Sequence, residues 1–331
     1  MFNKRSLSIA KYNLKRIIPK KIWTKSARLY ETKQALEFTE RVIKPNDSLF
    51  EESILVIRRR PPGGGLFSNV NHVLQGLEKA RSEGLIPVVD MENYWTSYCQ
   101  KQKFNGTSNS WEYFFNPVSS VKLKDVELFQ KVTFSRGDRM NPDSILSDRG
   151  LKFVLNDKSI DYLHQLYIDF IQMNNECSSI LRRVKDFINW DPITAGLSYR
   201  GTDYVALKPT GHARQPSLQE FLAAVEDKLE SSKKYRLLIS TEDNAVKEAL
   251  SKLYGDYSYK NFRSHEILSK MLPAREKASP QVLEALGYLI ETYLLSESET
   301  IVSTIANGSA TAIILNGNRY LNPVIIDQGV Y

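Results

Sequence analysis

Between Thr194 and Ser303 the chain alternates short apolar runs with stretches of helical spacing, and this alternation constrains its fold more than any other feature. Residues 194–199, 236–240 and 300–303 have the length and aliphatic content of buried strands. Residues 218–229, 245–254 and 282–296 repeat apolar side chains three and four positions apart, as helices do. Such alternation implies a parallel sheet covered by helices on both faces. Ligands bind such sheets at the carboxyl ends of the strands. Three polar tips stand at those ends: residues 200–203, 241–244 and 304–309.

The first tip is the most pointed. The run Ser198-Tyr199-Arg200-Gly201-Thr202-Asp203 closes a strand with an arginine, a glycine and an acid, and His212 and Arg214 follow in a loop rich in Pro and Gly. A guanidinium offers a planar fork of donors suited to phosphate, and a glycine lets a bound group approach the backbone. Gly308 and Ser309 precede an apolar segment that reads as a helix start, whose amides favour an anion.

The first half holds a related unit. The apolar residues 53–57 lead into Arg58-Arg59-Arg60-Pro61-Pro62-Gly63-Gly64-Gly65, then into helical spacing over 70–80 and a second apolar run, 85–90, ending in Asp90 with Glu92 just beyond. That is a strand, a glycine loop, a helix and a strand. The loop lacks the GxxxxGK[ST] and GxGxxG spacings, which argues against a P-loop NTPase and a dinucleotide site. Farther on, residues 111–115 form an aromatic cluster better read as core than as a sugar platform. Residues 158–188 read as one long helical region, with His164 beside its apolar stripe in a structural role. Trp190-Asp191-Pro192 ends it as a hinge.

In this order the pieces resemble the fucosyltransferase superfamily of GT-B fold, through the glycine loop, residues 198–203, residues 237–244 and residues 286–309, so that the likeness spans about residues 50 to 327. Two positions depart from the family pattern. Its leading His is Ser198 here and its second Arg is Gly201, leaving His212 or Arg214 to grip the nucleoside. The resemblance implies an α/β fold of GT-B type, two Rossmann-like domains with parallel sheets facing across a cleft: residues 31–190 on the acceptor side and 191–331 for the nucleotide sugar. It implies GDP-fucose as donor, with inversion at the anomeric carbon, and a glycan acceptor that can be lipid-linked, as in a bacterial surface polysaccharide. Arg200 would offset charge on the departing GDP. Gly64, Gly65, Asn69, Asp203, His212, Thr241, Asp243, Arg263, Thr304, Asn307, Gly308 and Ser309 would hold the donor beside it. His265 reads as a surface residue at a helix start.

The acceptor hydroxyl needs a proton acceptor, for which Asp90 and Glu92 are best placed by position. No cofactor and no metal are expected, since Arg200 supplies the positive charge and no DxD pair flanked by apolar strand residues occurs. Two other functions stay open: a transferase of the same architecture using another nucleotide sugar, and a non-catalytic glycan- or nucleotide-binding protein at a membrane.

The net charge of +7 in 331 residues is a property of one end. Residues 1–30 hold nine Lys and Arg and no acid, and without them the chain has 36 basic and 38 acidic residues. Nucleic acid is therefore not the expected partner. Phe2, Ile17, Ile18, Ile22 and Trp23 interleave with those charges, which suits an arm lying on an anionic membrane surface. Two cysteines, Cys99 and Cys177, exclude a disulfide framework or a structural zinc cluster. With no apolar h-region and no run near membrane-spanning length, the expected location is cytoplasmic, peripheral on the inner membrane face.

Overall fold

The computed structural model describes residues 39–331 apart from 47, 62, 138–143, 202, 231–234 and 274–276, so the basic arm lies outside the described residues. The chain divides into two compact units built from discontinuous stretches. The first takes the described residues up to Ser144 with 170–176 and 274–282, and the second takes 145–169, 177–273 and 283–331. Residues 145–169 and 177–190, expected with the first half, therefore belong to the second unit.

In the first unit the elements run β1 (Arg41–Ile43), β2 (Phe50–Arg58), α1 (Leu66–Glu83), β3 (Ile86–Asp90) and β4 (Phe129–Phe134). The sheet order is β1-β4-β2-β3, with β2 parallel to both neighbours and β1 an antiparallel edge strand. Ile54, Leu55, Val56 and Ile57 are wholly buried on consecutive positions of β2, the pattern of a strand covered on both faces. Helix α1 buries Phe67, Val70, Val73, Leu74 and Leu77. It stops at Gly84, whose φ of 64° lets its amide donate back to the Ala80 carbonyl. Strand β4 has no counterpart in the sequence reading, because Gln130 and Lys131 interrupt its apolar residues. Phe129 and Val132 nonetheless pack on Ile54, Val56 and Val88, and each such buried side chain contributes roughly 1.5–3 kcal/mol. The aromatic cluster is core, with Trp111, Tyr113, Phe114 and Phe115 buried.

The second unit carries, apart from terminal residues of three helices, α2 (Asp157–Phe170), α3 (Asn175–Ile188), β5 (Thr194–Tyr199), α4 (Asp203–Leu207), α5 (Leu218–Glu230), β6 (Arg236–Thr241), α6 (Asn244–Tyr254), α7 (His265–Lys270), α8 (Pro280–Glu297), β7 (Thr300–Thr304), α9 (Asn307–Asn316) and β8 (Val324–Ile326). Its sheet, in the order β6-β5-β7-β8, is parallel throughout. The expected alternation is met within a few residues at every element. Ala195, Leu197, Leu237 and Val302 from the sheet pack with Phe221, Val225, Val246 and Leu250 from the helices.

Two expectations are corrected. The helical region is two helices, because residues 171–174 leave the helical path: the Asn116 amide donates to the Gln172 carbonyl (2.8 Å) and the Asn174 amide to the Phe114 carbonyl (3.0 Å). These bonds to another segment replace the helix's own. Trp190-Asp191-Pro192 is no hinge, since Trp190 stacks on Tyr259 and the Asp191 amide donates to the Tyr259 hydroxyl (2.8 Å), all inside the second unit. His164 is structural, as expected, with Nδ1 2.8 Å from the Ile314 carbonyl. Among the described residues no helix is long and apolar enough to cross a membrane.

Candidate functional site

The carboxyl ends of β5, β6 and β7 lie side by side in the second unit's sheet, which brings the three sequence tips to one edge. Strand β5 is central there, so Arg200 leaves it between the other two. The Arg200 amide donates to the hydroxyl of buried Thr304 (2.9 Å), fixing the backbone where the side chain departs. Its guanidinium lies over the Tyr204 ring (5.2 Å) and 3.2 Å from Glu242. Side-chain exposures of 29% for Arg200 and 36% for Glu242 leave the pair open to solvent on one side. That is a positive group held in place and still reachable.

Most of the other expected donor residues build this frame. Asp243 caps α6 by accepting from Ala245 and Val246 (2.9 and 3.3 Å). The Thr241 hydroxyl accepts from the Asp243 amide (3.0 Å). Gly201 is required by that cap, because a β-carbon there would stand 2.4 Å from the Asp243 carboxylate. Ser309 is buried and donates to the Thr304 carbonyl (2.6 Å), while accepting from the Ala306 amide (3.0 Å). The Asn307 carbonyl accepts from the Thr311 hydroxyl (2.9 Å) inside α9. His212 meets Tyr204 edge-on with a ring separation of 5.5 Å. Asp203 opens the short helix α4. His265 is exposed at the first position of α7, capped by Ser264, as expected.

Arg263, also expected at the donor, has a protein carboxylate as its partner. It forms an ion pair with buried Glu291 (3.0 Å), which also accepts from Ser240 (2.6 Å). The Glu291 charge raises the pKa of Arg263. The guanidinium thus anchors a buried carboxylate of α8 to β6, a pairing that costs several kcal/mol to break from one side.

One residue of the site escaped the sequence reading. Tyr288, on α8, places its hydroxyl against Gly308 at the start of α9, where a β-carbon would be 1.9 Å from that oxygen. Burial pushes its pKa up to about 12, and the charges of Arg200, Glu242, Glu291 and Arg263 all act on it. It is therefore a neutral hydroxyl within the field of these charges. Only the glycine requirement at position 308 could have pointed to it.

In the first unit the glycine loop carries a second basic group. Arg58 is buried and spent on the Ser135 carbonyl (2.9 Å), the Tyr94 hydroxyl (3.1 Å) and the Thr39 carbonyl (2.8 Å). Arg59 binds the Ser68 carbonyl and hydroxyl, and burial lowers its pKa to about 10. Asn69 is fully buried and locks the loop by donating to the Gly64 carbonyl (3.2 Å) and the Tyr98 hydroxyl (3.3 Å). Gly65 precedes the first turn of α1. Asp90, expected as a proton acceptor, is buried and accepts from the Asn93 amide (2.9 Å) and side chain, with its pKa raised by burial. Glu92 is exposed and lines a hollow of about 330 Å³.

No protein-family profile and no curated protein sequence matches the chain. Among solved structures it is similar to the fucosyltransferase NodZ from Bradyrhizobium, with a TM-score of 0.47 and 16% identity over 84% of this chain and 96% of that one. It is similar to a point mutant of Arabidopsis thaliana FUT1 in complex with GDP, with a TM-score of 0.46 and 12% identity over 89% and 74% of the two chains. For POFUT1 in its apo form the TM-score is 0.45, with 9% identity over 83% and 98%.

Proposed function

We propose that this chain is an inverting, metal-independent glycosyltransferase that moves L-fucose from GDP-fucose to a hydroxyl of a glycan. The observation that carries the reading is the setting of Arg200: its amide is clamped by Thr304 while its fork stays accessible at the end of the central parallel strand. The acceptor oxygen attacks the anomeric carbon as the bond from that carbon to the diphosphate oxygen breaks. GDP leaves with the bonding pair. A preorganised guanidinium stabilises that developing charge better than water, which must reorganise to do so. The proton of the acceptor goes to a carboxylate, for which we carry forward exposed Glu92 rather than buried Asp90.

The test is a thermal-shift panel of GDP-fucose, GDP-mannose, UDP-sugars and CMP-sugars. Stabilisation by GDP-fucose above the rest is expected, and equal or greater stabilisation by a UDP- or CMP-sugar would overturn the donor assignment. Transfer should persist in excess EDTA, and loss restored by Mn²⁺ or Mg²⁺ would overturn metal independence. For residues 1–30 we propose a peripheral membrane role on the cytoplasmic face, toward a lipid-linked acceptor such as a surface-polysaccharide precursor. Binding to anionic vesicles that weakens with salt and disappears on deletion of the arm is expected. Equal binding without the arm would refute it.

A further inference from the structure

The first unit contains a second hollow, of about 660 Å³, whose wall is chemically unlike either basic loop. Asn105, Asn116, Asn174 and Asn175 line it together with Thr107, and the two ionisable groups in it are Glu112 and Glu176. No Lys or Arg lines it. Phosphate or sulfate would meet two carboxylates there and no positive charge, so an anionic ligand is disfavoured. Amides donate and accept at once, and carboxylates accept from paired hydroxyls. That combination fits a polyol.

The wall is built rather than incidental. Phe104 and Thr107 exchange two backbone hydrogen bonds of 3.1 Å around Asn105 and Gly106, at φ 50° and 75°, a tight turn that presents Thr107. The Asn105 side chain donates to the Tyr113 carbonyl (3.0 Å), and Asn174 donates to the Glu112 and Tyr113 carbonyls (3.1 Å each). Glu112 accepts from the Thr107 hydroxyl at one carboxylate oxygen (2.8 Å) and from the Asn109 amide at the other (3.2 Å). Asn109 is itself buried and donates to the Val89 carbonyl (2.8 Å). Glu112 is thus oriented by neutral groups and has no cationic partner among the described residues. A carboxylate has about four acceptor sites, so about two remain for a ligand. Glu112 and Pro117 also line the hollow that holds Glu92, which makes the two hollows neighbours along one wall.

We propose that this Asn- and Glu-lined hollow is a subsite for a neutral or amine-bearing oligosaccharide, with Glu112 accepting hydrogen bonds from adjacent hydroxyls. The proposal rests on the glycosyltransferase reading only for what the sugar is used for, namely as the acceptor. Its binding is measured without donor.

The experiment applies the full chain to an immobilised array of neutral, amino and sulfated oligosaccharides, followed by titration of the best soluble binder. Saturable binding of neutral or amino glycans is expected, weakened at least tenfold by Glu112→Gln and several-fold by Asn116→Ala or Asn175→Ala. The last two replace exposed side chains, so they preserve a readout if Glu112→Gln fails to fold. GDP binding by all three variants should match the parent chain, which separates failure of this subsite from failure of the donor assignment. Preference for sulfated glycans, absence of any glycan binding, or binding unchanged in the folded variants would overturn the proposal.

Discussion

Two strand ends in this chain carry the same parts, an arginine, glycine and the start of a helix, yet their electrostatic balance is opposite. At β2, Arg59 is half-buried against Ser68 and has no carboxylate partner among the described residues, so desolvation pulls its pKa down to about 10. At β5, Arg200 is part-exposed and already balanced by Glu242. The first is a charge packed against its own loop, and it presses on its surroundings: His72, on α1, is lowered to about 3 by burial first and by the Arg59 charge second. The second is a charge set against a protein carboxylate and open to solvent on one side. Counting arginines near a glycine-rich turn would rank the first site higher. Following each guanidinium to its partners reverses the ranking.

The largest expected effect tests that reversal. Arg200→Ala should lower transfer about a hundredfold or more, the scale for losing one preorganised donor to developing charge, while thermal stability stays near that of the parent. Arg200→Lys should recover little, because a point charge does not reproduce the fork. Near-normal turnover in either variant would remove Arg200 from the chemistry and leave the two strand ends equivalent.

A second effect, of about 2 kcal/mol, belongs to the buried end. His72 stays neutral in the folded chain down to about pH 3, whereas unfolded it binds a proton near pH 6.5. Between these values the unfolded state holds the extra proton, so stability falls as pH drops, by roughly 1.4 kcal/mol per unit. From pH 6.5 to 5 this amounts to about 2 kcal/mol. Asp90 acts with the opposite sign, because its raised pKa favours the folded state at low pH and loses that contribution as pH rises through the folded value. Denaturant unfolding of Asp90→Asn should therefore show the histidine slope more steeply, and His72→Gln should flatten it. Arg59→Met should shorten the acid end of the window by removing the neighbouring charge. A slope unaltered by His72→Gln would refute the account.

The second unit was largely legible because its sheet is buried on both faces, so strands appear as continuous apolar runs and helices as stripes. Strands β1, β4 and β8 were not, since three-residue pairings and a strand interrupted by Gln130 and Lys131 depend on neighbours far along the chain. Arg200 was legible as a strand-tip guanidinium, because it follows the apolar run of β5 directly. Asp243, Ser309 and Asn69 were not separable from ligand-binding groups by type. Asp243 caps a helix, Ser309 closes a turn and the Asn69 side-chain NH2 locks a glycine loop. Tyr288 was hidden by its place within an apolar helix, where an aromatic residue reads as core.

The smallest effect sharpens the comparison most. On the proposed donor reading, a diphosphate approaching Arg200 competes with Glu242, and a part-exposed ion pair is worth up to about 1 kcal/mol once solvent screening is counted. Glu242→Gln removes that competition and one negative charge near the incoming anion. GDP should then bind about fivefold more tightly by calorimetry at low salt, with the gain shrinking as salt rises, because screening weakens the carboxylate's repulsion in the parent chain. Glu242 pairs with Arg200 before any ligand is present, so the effect should fall first on donor affinity. Weaker GDP binding in Glu242→Gln would mean that the carboxylate aims the guanidinium instead of competing for it. Arg200 would then depend on its acidic neighbour for geometry, and the contrast between a charge packed against its loop at β2 and an open one at β5 would have to be withdrawn.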